Sequence, residues 1–282
     1  MRRISSRRKK AKAKNEMLLS YENFFHDVKT PLNIMFSYML MMDKLPGIPA
    51  EAAAYMAEVK KNWYRVIKLI NDASDRTRIN CGTLIPKVKN QDMVALAKEM
   101  AQATSLLADK KKIRLRFCAN ADEKVMAVDK NMVERILLNL LSNAIKYTPS
   151  GGEVSVTVHD LKNKVILTVA DNGRGIPADI LDRIFERNVR APGTENQEGS
   201  GLGLSIVKEL AEVMGGEVSI KSDSSGTSVA VRFPVMYIED PRTAEKVADL
   251  TADRMVQIEL SDQYFAEQEA EEQYLRQYLG NR

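Results

Sequence analysis

The stretch Asp129-Lys-Asn-Met-Val-Glu-Arg-Ile-Leu-Leu-Asn-Leu-Leu-Ser-Asn-Ala-Ile-Lys-Tyr147 is the clearest helix in this 282-residue chain. Val133, Ile136, Leu137, Leu140, Leu141, Ala144 and Ile145 recur at steps of three and four, which puts them on one apolar face, and Asp129 is a candidate N-cap. Asn139, Asn143 and Lys146, at i, i+4 and i+7, line up as a polar stripe opposite that face. Polar stripes are commonly just solvated. This one is followed by a strand-like segment, Val165–Ala170, that runs straight into Asp171-Asn-Gly-Arg-Gly175, a tight glycine turn beside a carboxylate. Further on, Gly199-Ser-Gly-Leu-Gly203 opens another helix, whose first amides and positive dipole end suit a phosphate.

Working outward, Met93 to Leu107 reads as a helix and Ile113-Arg-Leu-Arg-Phe117 alternates as a strand. Val154–Val158 and Val165–Ala170 are strands joined by a polar turn. A helix at Leu202–Met214 and strands at Glu217–Ile220 and Ser228–Phe233 complete the region. The order predicts an α+β fold, with helices layered on one face of a mixed sheet. A dinucleotide-binding reading of Gly199–Gly203 fails on context: a polar loop precedes it, and the spacing is GxGxG rather than GxGxxG. A Walker A sequence does not occur.

Towards the N-terminus, Leu18, Tyr21, Phe25, Val28, Leu32, Met35, Met39 and Met42 form a heptad seam. Leu45-Pro-Gly-Ile-Pro49 breaks it, and Met56, Val59, Trp63, Val66, Ile70 and Ala73 repeat the seam on a returning helix that ends near Cys81-Gly82. A lone hairpin cannot bury two such stripes, so a homodimer forming a four-helix bundle is expected. His26 falls one residue off the seam. With Thr30, Asn33 and Ser37 it lines an outer stripe, Asp27 follows it, and Pro31 lies within the same helix. His159, at the end of a strand, is assigned no function.

Composition narrows the function classes. Apolar residues make up 44% and charged residues 28%, the balance of a globular protein, and no run of about 18 apolar residues spans a bilayer. Cys81 and Cys118 form no CxxC pair, which argues against a disulfide framework and a zinc knuckle. The first fourteen residues carry eight basic side chains and no acid, while the remainder is mildly acidic, so a nucleic-acid partner is not expected. Residues 1–15 therefore read as a solvated tail or as a juxtamembrane-like segment on the cytosolic side of a membrane span lying upstream. Residues 236–282, with eleven acids against five bases, read as an acidic C-terminal extension.

Five ordered segments carry a resemblance: Phe25-His-Asp-Val-Lys-Thr-Pro-Leu32, Asn139-Leu-Leu-Ser-Asn-Ala-Ile-Lys-Tyr-Thr-Pro149, Asp171-Asn-Gly-Arg-Gly175, Phe185-Glu186 and Gly199-Ser-Gly-Leu-Gly-Leu204. Together the chain resembles the histidine kinases of two-component systems, within the wider family of gyrase-like ATP-binding folds. The resemblance implies a dimerising, phosphoaccepting hairpin at 16–82 and a Bergerat-type α/β-sandwich ATP-binding domain at 83–235. It implies ATP and Mg²⁺ as cofactors, with Asn143 and Asn139 as metal ligands, Lys146 on the phosphates, Tyr147 flanking the nucleotide and Asp171 on the adenine amino group. Gly173, Gly175, Gly199, Gly201 and Gly203 would shape the pocket and its lid, where Asn188-Val189 replaces a common aromatic pair.

By the same resemblance, His26 is the phosphoacceptor, Asp27 handles its ring proton and Thr30 serves dephosphorylation. A response regulator receives the phosphoryl group and docks over Ile34, Ser37, Tyr38 and Met41. The location implied is cytoplasmic, attached to an inner membrane. Water-splitting relatives place a glutamate where Asn139 stands, and an amide cannot accept a proton. The competing readings are a nucleotide-sensing scaffold with decayed activity and a protein-serine kinase or ATPase of the same fold.

Overall fold

Two prolines and a glycine between Leu45 and Pro49 divide the N-terminal region into two long helices, α1 (Arg2–Met42) and α2 (Ala50–Cys81). The computed structural model describes residues 2–42, 45–186, 189, 203–238 and 260. The chain divides into a helical unit, residues 1–85, and an α+β unit, residues 86–282. Helix α1 starts at Arg2, so the basic run lies on the same helical backbone as His26. Pro31 lies inside it without ending it. Gly82, at φ 61°, closes α2 in the left-handed conformation and donates its N–H to Ile79 O at 2.8 Å. No helix among the described residues is long and apolar enough to cross a membrane.

Aromatic packing sets the register of the hairpin. Phe36 stacks on Trp63 with ring centroids 4.0 Å apart and planes 18° from parallel, and Tyr64 meets both rings edge-on. With Met39, Met56 and Ile67 these residues are the buried core of the hairpin. Each large side chain so buried contributes about 1.5–3 kcal/mol. Of the expected seam, Met39, Met56 and Trp63 are buried, but Met35, Met42, Val59 and Val66 are exposed, and Phe36, Tyr64 and Ile67 from the adjacent stripe are inside. Two apolar stripes lie side by side on each helix, and the larger aromatic area wins the face between α1 and α2.

In the second unit the elements run β1 (Lys89–Asp92), α3 (Met93–Lys110), β2 (Arg114–Ala119), β3 (Val125–Val128), α4 (Lys130–Tyr147), β4 (Glu153–Leu161), β5 (Lys164–Asp171), α5 (Ala178–Leu181), α6 (Gly203–Val213), β6 (Glu217–Asp223) and β7 (Gly226–Pro234). Five strands form one mixed sheet in the order β2-β4-β5-β7-β6, parallel only between β2 and β4. Alternate residues Val154, Val156, Val158, Val165, Leu167, Val169, Val229, Val231 and Phe233 are buried, as a sheet covered on one face requires. The covering layer is α3, α4 and α6.

Strands β1 and β3 pair antiparallel in a second, two-stranded sheet that the sequence did not announce. The chain leaving β7 runs beside β3, with Ala127 N–H donating to Met236 O at 2.7 Å. The Asn90 amide then bonds both Ile238 O, at 2.7 Å, and Ile238 N, at 3.0 Å. His159 lies within β4, opposite Ile166, and is exposed. Most of the acidic extension, from residue 239 on, lies outside the described residues apart from Leu260.

Candidate functional site

Helix α4 carries the expected polar residues, and its neighbours decide what they can do. Asp129 caps it, accepting from Met132 N at 3.2 Å, and its second oxygen accepts from Lys87 N at 2.6 Å. Asn139 is not on a solvated face as a simple amphipathic reading would have it: only 3% of it is exposed. Helix α6 packs there, and its first residue, Gly203, comes so close that an added Cβ would lie 2.9 Å from Asn139 Oδ1 and 3.7 Å from Asn143 Nδ2. Asn139 Nδ2 donates to Arg135 O at 2.9 Å, which turns its carbonyl oxygen towards Gly203. Asn143 and Lys146 are half-buried along the same stripe.

At the other end of α4, the loop after β5 closes against Tyr147. A Cβ on buried Gly173 would lie 2.5 Å from Tyr147 O, so only glycine admits this approach. Two cations lie over the Tyr147 ring, Lys146 Nζ 5.1 Å and Arg174 Cζ 5.0 Å from its centroid. Asp171 Oδ1 accepts from Gly173 N at 2.9 Å. Burial raises the Asp171 carboxyl above the usual carboxylate range, and the backbone N–H groups of Gly173 and Thr227 offset part of that rise.

The turn between β6 and β7 braces the loop from behind. Ser222 Oγ accepts from Ile176 N at 2.8 Å and donates to Gly226 O at 2.9 Å. Gly175, at φ +69°, passes so close to Asp223 O that a Cβ would overlap it. Gly226, at φ +142°, approaches Asp171 O in the same way. Neither this turn nor Ser222 had a signal in the sequence pattern. Its nearest cue is the Ser-Ser-Gly turn at 224–226.

The structure thus brings Asn139, Asn143 and Gly203 together, and Tyr147, Gly173 and Asp171 together, along one helix. Gly199, Gly201 and Asn188 lie outside the described residues. Among the described residues no three His, Cys, Asp or Glu side chains converge as a metal cluster. A divalent cation here would rely on amide oxygens and on the phosphates it accompanies. Asn139 Oδ1 is the amide oxygen presented at this helix junction, a ligand of the type a hard cation accepts, whereas the Asn143 atom nearest Gly203 is its amide nitrogen.

In the helical unit, His26 is exposed and its Nδ1 lies 3.5 Å from Asp27 Oδ1. Thr30 Oγ1, one turn on, donates to His26 O at 2.9 Å. Asn33 and Ser37 share the exposed stripe with them. The residues expected to dock a partner, Ile34, Ser37, Tyr38 and Met41, are all exposed, and Tyr38 and Met41 are 63% so.

Comparison with known proteins gives the family. Residues 128–236 match the family described as histidine kinase-, DNA gyrase B-, and HSP90-like ATPase. Histidine protein kinase DivJ of Caulobacter vibrioides is 34% identical over 222 residues, covering 76% of this chain. The match spans 36% of DivJ, so the chain corresponds to about a third of that protein's length. The crystal structure of full-length ShkA in complex with AMPPNP superposes with a TM-score of 0.66 at 25% identity, covering 86% of this chain and 53% of ShkA. Histidine kinase ThkA, solved with response regulator protein TrrA, shares the fold with a TM-score of 0.52 at 18% identity, covering 82% of this chain and 66% of that one. The chain belongs to the two-component sensor histidine kinases, and residues 128–236 are its histidine kinase-, gyrase- and HSP90-like ATPase domain.

Proposed function

We propose that this chain transfers the γ-phosphoryl group of ATP to His26 and then to an aspartate of a response regulator, and that it also dephosphorylates that regulator. The observation that carries the reading is the convergence along α4: Asn139 and Asn143 meet the first residue of α6 at one end, and Tyr147 meets the Asp171–Gly175 loop at the other. In this reading Asp171 accepts a hydrogen bond from the adenine amino group, Tyr147 flanks the nucleotide and Lys146 reaches the phosphates. Asn143 and Asn139 would hold Mg²⁺, which neutralises charge on the transferring phosphoryl group when bound. Gly173 and Gly175 shape the base pocket, and Gly199, Gly201 and Gly203 belong to the phosphate side.

His26 Nε2 attacks phosphorus in line: the N–P bond forms, the bond from phosphorus to the β,γ-bridging oxygen breaks, and ADP leaves. Asp27, 3.5 Å from Nδ1, takes or shares the ring proton that the phosphorylated imidazole sheds. Asn139, an amide, activates no water, so transfer to histidine is favoured over hydrolysis. Incubation with γ-labelled ATP tests this. Acid-labile, alkali-stable label on the protein is expected, whereas release of free phosphate alone would make the chain a hydrolase and no turnover would make it a scaffold.

The exposed apolar residues support a dimer. Met35, Tyr38 and Met42 on α1 and Tyr55, Val59, Val66 and Leu69 on α2 lie at heptad spacings on faces that the hairpin leaves open. A second copy covering them completes a four-helix bundle. The regulator docks beside His26 over Ile34, Ser37, Tyr38 and Met41; that ThkA was solved in complex with a response regulator supports such a partner. Exchanging these four together is expected to redirect phosphotransfer to another regulator and to leave autophosphorylation intact. Loss of both activities would place them in the dimer core, where Tyr38 shares the stripe with Met35 and Met42. The basic start of α1 fits attachment at the cytosolic face of a membrane.

Asp171→Asn separates binding from folding. It is expected to weaken ATP binding by about 1.5–3 kcal/mol, roughly 10- to 150-fold, through loss of a hydrogen bond to a charged acceptor. The raised carboxyl binds a proton more tightly folded than unfolded, so its contribution to stability is present at low pH and is lost as pH rises through the raised value. At neutral pH the carboxylate is therefore a stability cost, and Asn is expected to leave the melting temperature equal or higher. Calorimetric titration and thermal unfolding check the two halves. ATP affinity of the unmodified chain should also fall as pH drops through that same window.

Thr30→Ala keeps the helix and deletes a hydroxyl that now bonds His26 O. Turned outward, that hydroxyl can orient the water attacking a phosphoaspartate. The variant is expected to slow regulator dephosphorylation at least tenfold, about 1.4 kcal/mol of barrier, and to spare autophosphorylation. Equal decay of phospho-regulator with both proteins would leave the hydroxyl to its helix bond.

A further inference from the structure

Trp63 is the only tryptophan in the chain, and it is 96% removed from solvent as judged by its 4% exposure. A buried indole N–H must find an acceptor, and this one donates across the hairpin to Leu32 O at 2.7 Å. Leu32 immediately follows Pro31. Pro31 has no N–H to give to Asp27 O, and its ring crowds that carbonyl, so the turn between Asp27 and Pro31 lacks one ladder hydrogen bond. A helix carbonyl that also accepts a side-chain donor is drawn away from its own ladder, which is a second recognised cause of bending. Both causes act on consecutive residues, and Trp63 pulls from the side of α2. The stack on Phe36, one turn beyond Leu32, holds the same stretch from the ring face.

We propose that Trp63 is a positioning residue for His26: it clamps the C-terminal side of Pro31 to α2, so that the phosphoacceptor half of α1 bends only about Pro31 and in one direction. The inference rests on the phosphotransfer reading above, because the position of His26 matters only if His26 reacts. Asp27 sits on the proline-weakened turn itself, and Thr30 bonds back to His26 O across it, so the orientation of the whole reactive stripe depends on what holds the helix beyond. The hydrogen bond to Leu32 O and the stack on Phe36 are separable by substitution.

Trp63→Phe retains a ring against Phe36 and removes the donor. In the full chain it is expected to lower the rate of phosphohistidine formation at least about fivefold with KM for ATP unchanged, since misplacement of a nucleophile is felt in the chemical step. In a Pro31→Ala background, where the ladder is continuous, the same substitution is expected to change that rate by less than about twofold. An equal loss in both backgrounds would reduce Trp63 to core packing, and no loss in either would overturn the clamp. Hydrogen exchange supplies a readout that needs no activity. Amides of residues 27–36 are expected to exchange about tenfold faster in Trp63→Phe and at an unchanged rate when that substitution is added to Pro31→Ala. If the unmodified chain forms no phosphohistidine, the functional reading fails by itself and exchange alone decides the clamp. Unchanged exchange in Trp63→Phe would overturn it.

Discussion

His26→Gln is expected to reduce covalent labelling by γ-labelled ATP to background, a loss of at least about 10³-fold or roughly 4 kcal/mol of barrier. Glutamine is close in size to histidine, but its amide nitrogen has no lone pair free to attack phosphorus. The side chain it replaces is exposed, with a relative accessibility of 80%, and its nearest charged neighbour is Asp27 at 3.5 Å. Substitution of such a residue shifts stability by no more than about 0.5 kcal/mol, so folding and ATP binding should be retained. Gel autoradiography after alkaline and acid treatment, beside a nucleotide titration of the same variant, checks both halves. Label that persists in the variant would move the phosphoacceptor elsewhere. Of the two histidines, His159 is the other candidate, and it lies on β4 of the ATPase unit.

A comparable loss is expected from one methyl group placed far from the phosphates. Gly226→Ala would set a Cβ against the Asp171 carbonyl oxygen and 2.9 Å from Asn172 Cα, at a backbone φ of +142° that side chains rarely adopt. The neighbours are backbone atoms at the end of β5, so no flexible side chain can give way. Overpacking and backbone strain together are expected to cost about 3 kcal/mol. For a chain of this size that lowers the melting temperature by about 6–12 °C. ATP binding should weaken in parallel, because the displaced strand end carries Asp171 and leads into Gly173. Thermal unfolding with and without nucleotide measures both. An unchanged melting temperature would mean that the β6–β7 turn shifts away freely, and that Ser222 does not hold the loop as its bonds to Ile176 N, Gly226 O and Thr227 indicate.

Such a residue shows why part of the site was invisible in sequence. Asn139, Asn143, Lys146, Asp171 and the glycines that follow it stand in a fixed order beside a strongly periodic helix, so helix, strand and turn could each be read locally. The period of three and four placed α4, and alternation of apolar residues placed β4, β5 and β7, because one face of each is buried against the other. The capping carboxylate of Asp129 was equally local, three residues from the amide it accepts.

Tertiary structure decided the rest, wherever the deciding contact joins residues distant in the chain. Strands β1 and β3 have four residues each, too short for a periodic signal, and exist because Lys89–Asp92 meets Val125–Val128. Gly226 matters only because β7 lies beside β5 and brings it to Asp171. Asn139 looks like a surface residue on a helical wheel and is buried because α6 lands on it. Along α1 and α2, two apolar stripes satisfy the same heptad arithmetic, and sequence alone could not rank them. The stack of Phe36 on Trp63 drew Phe36 and Tyr64 to the inner face beside the seam residues Met39, Met56 and Trp63, and left Met35, Met42, Val59 and Val66 outside. Local periodicity determined which segments are helices and strands; packing between distant segments determined which of their faces meet.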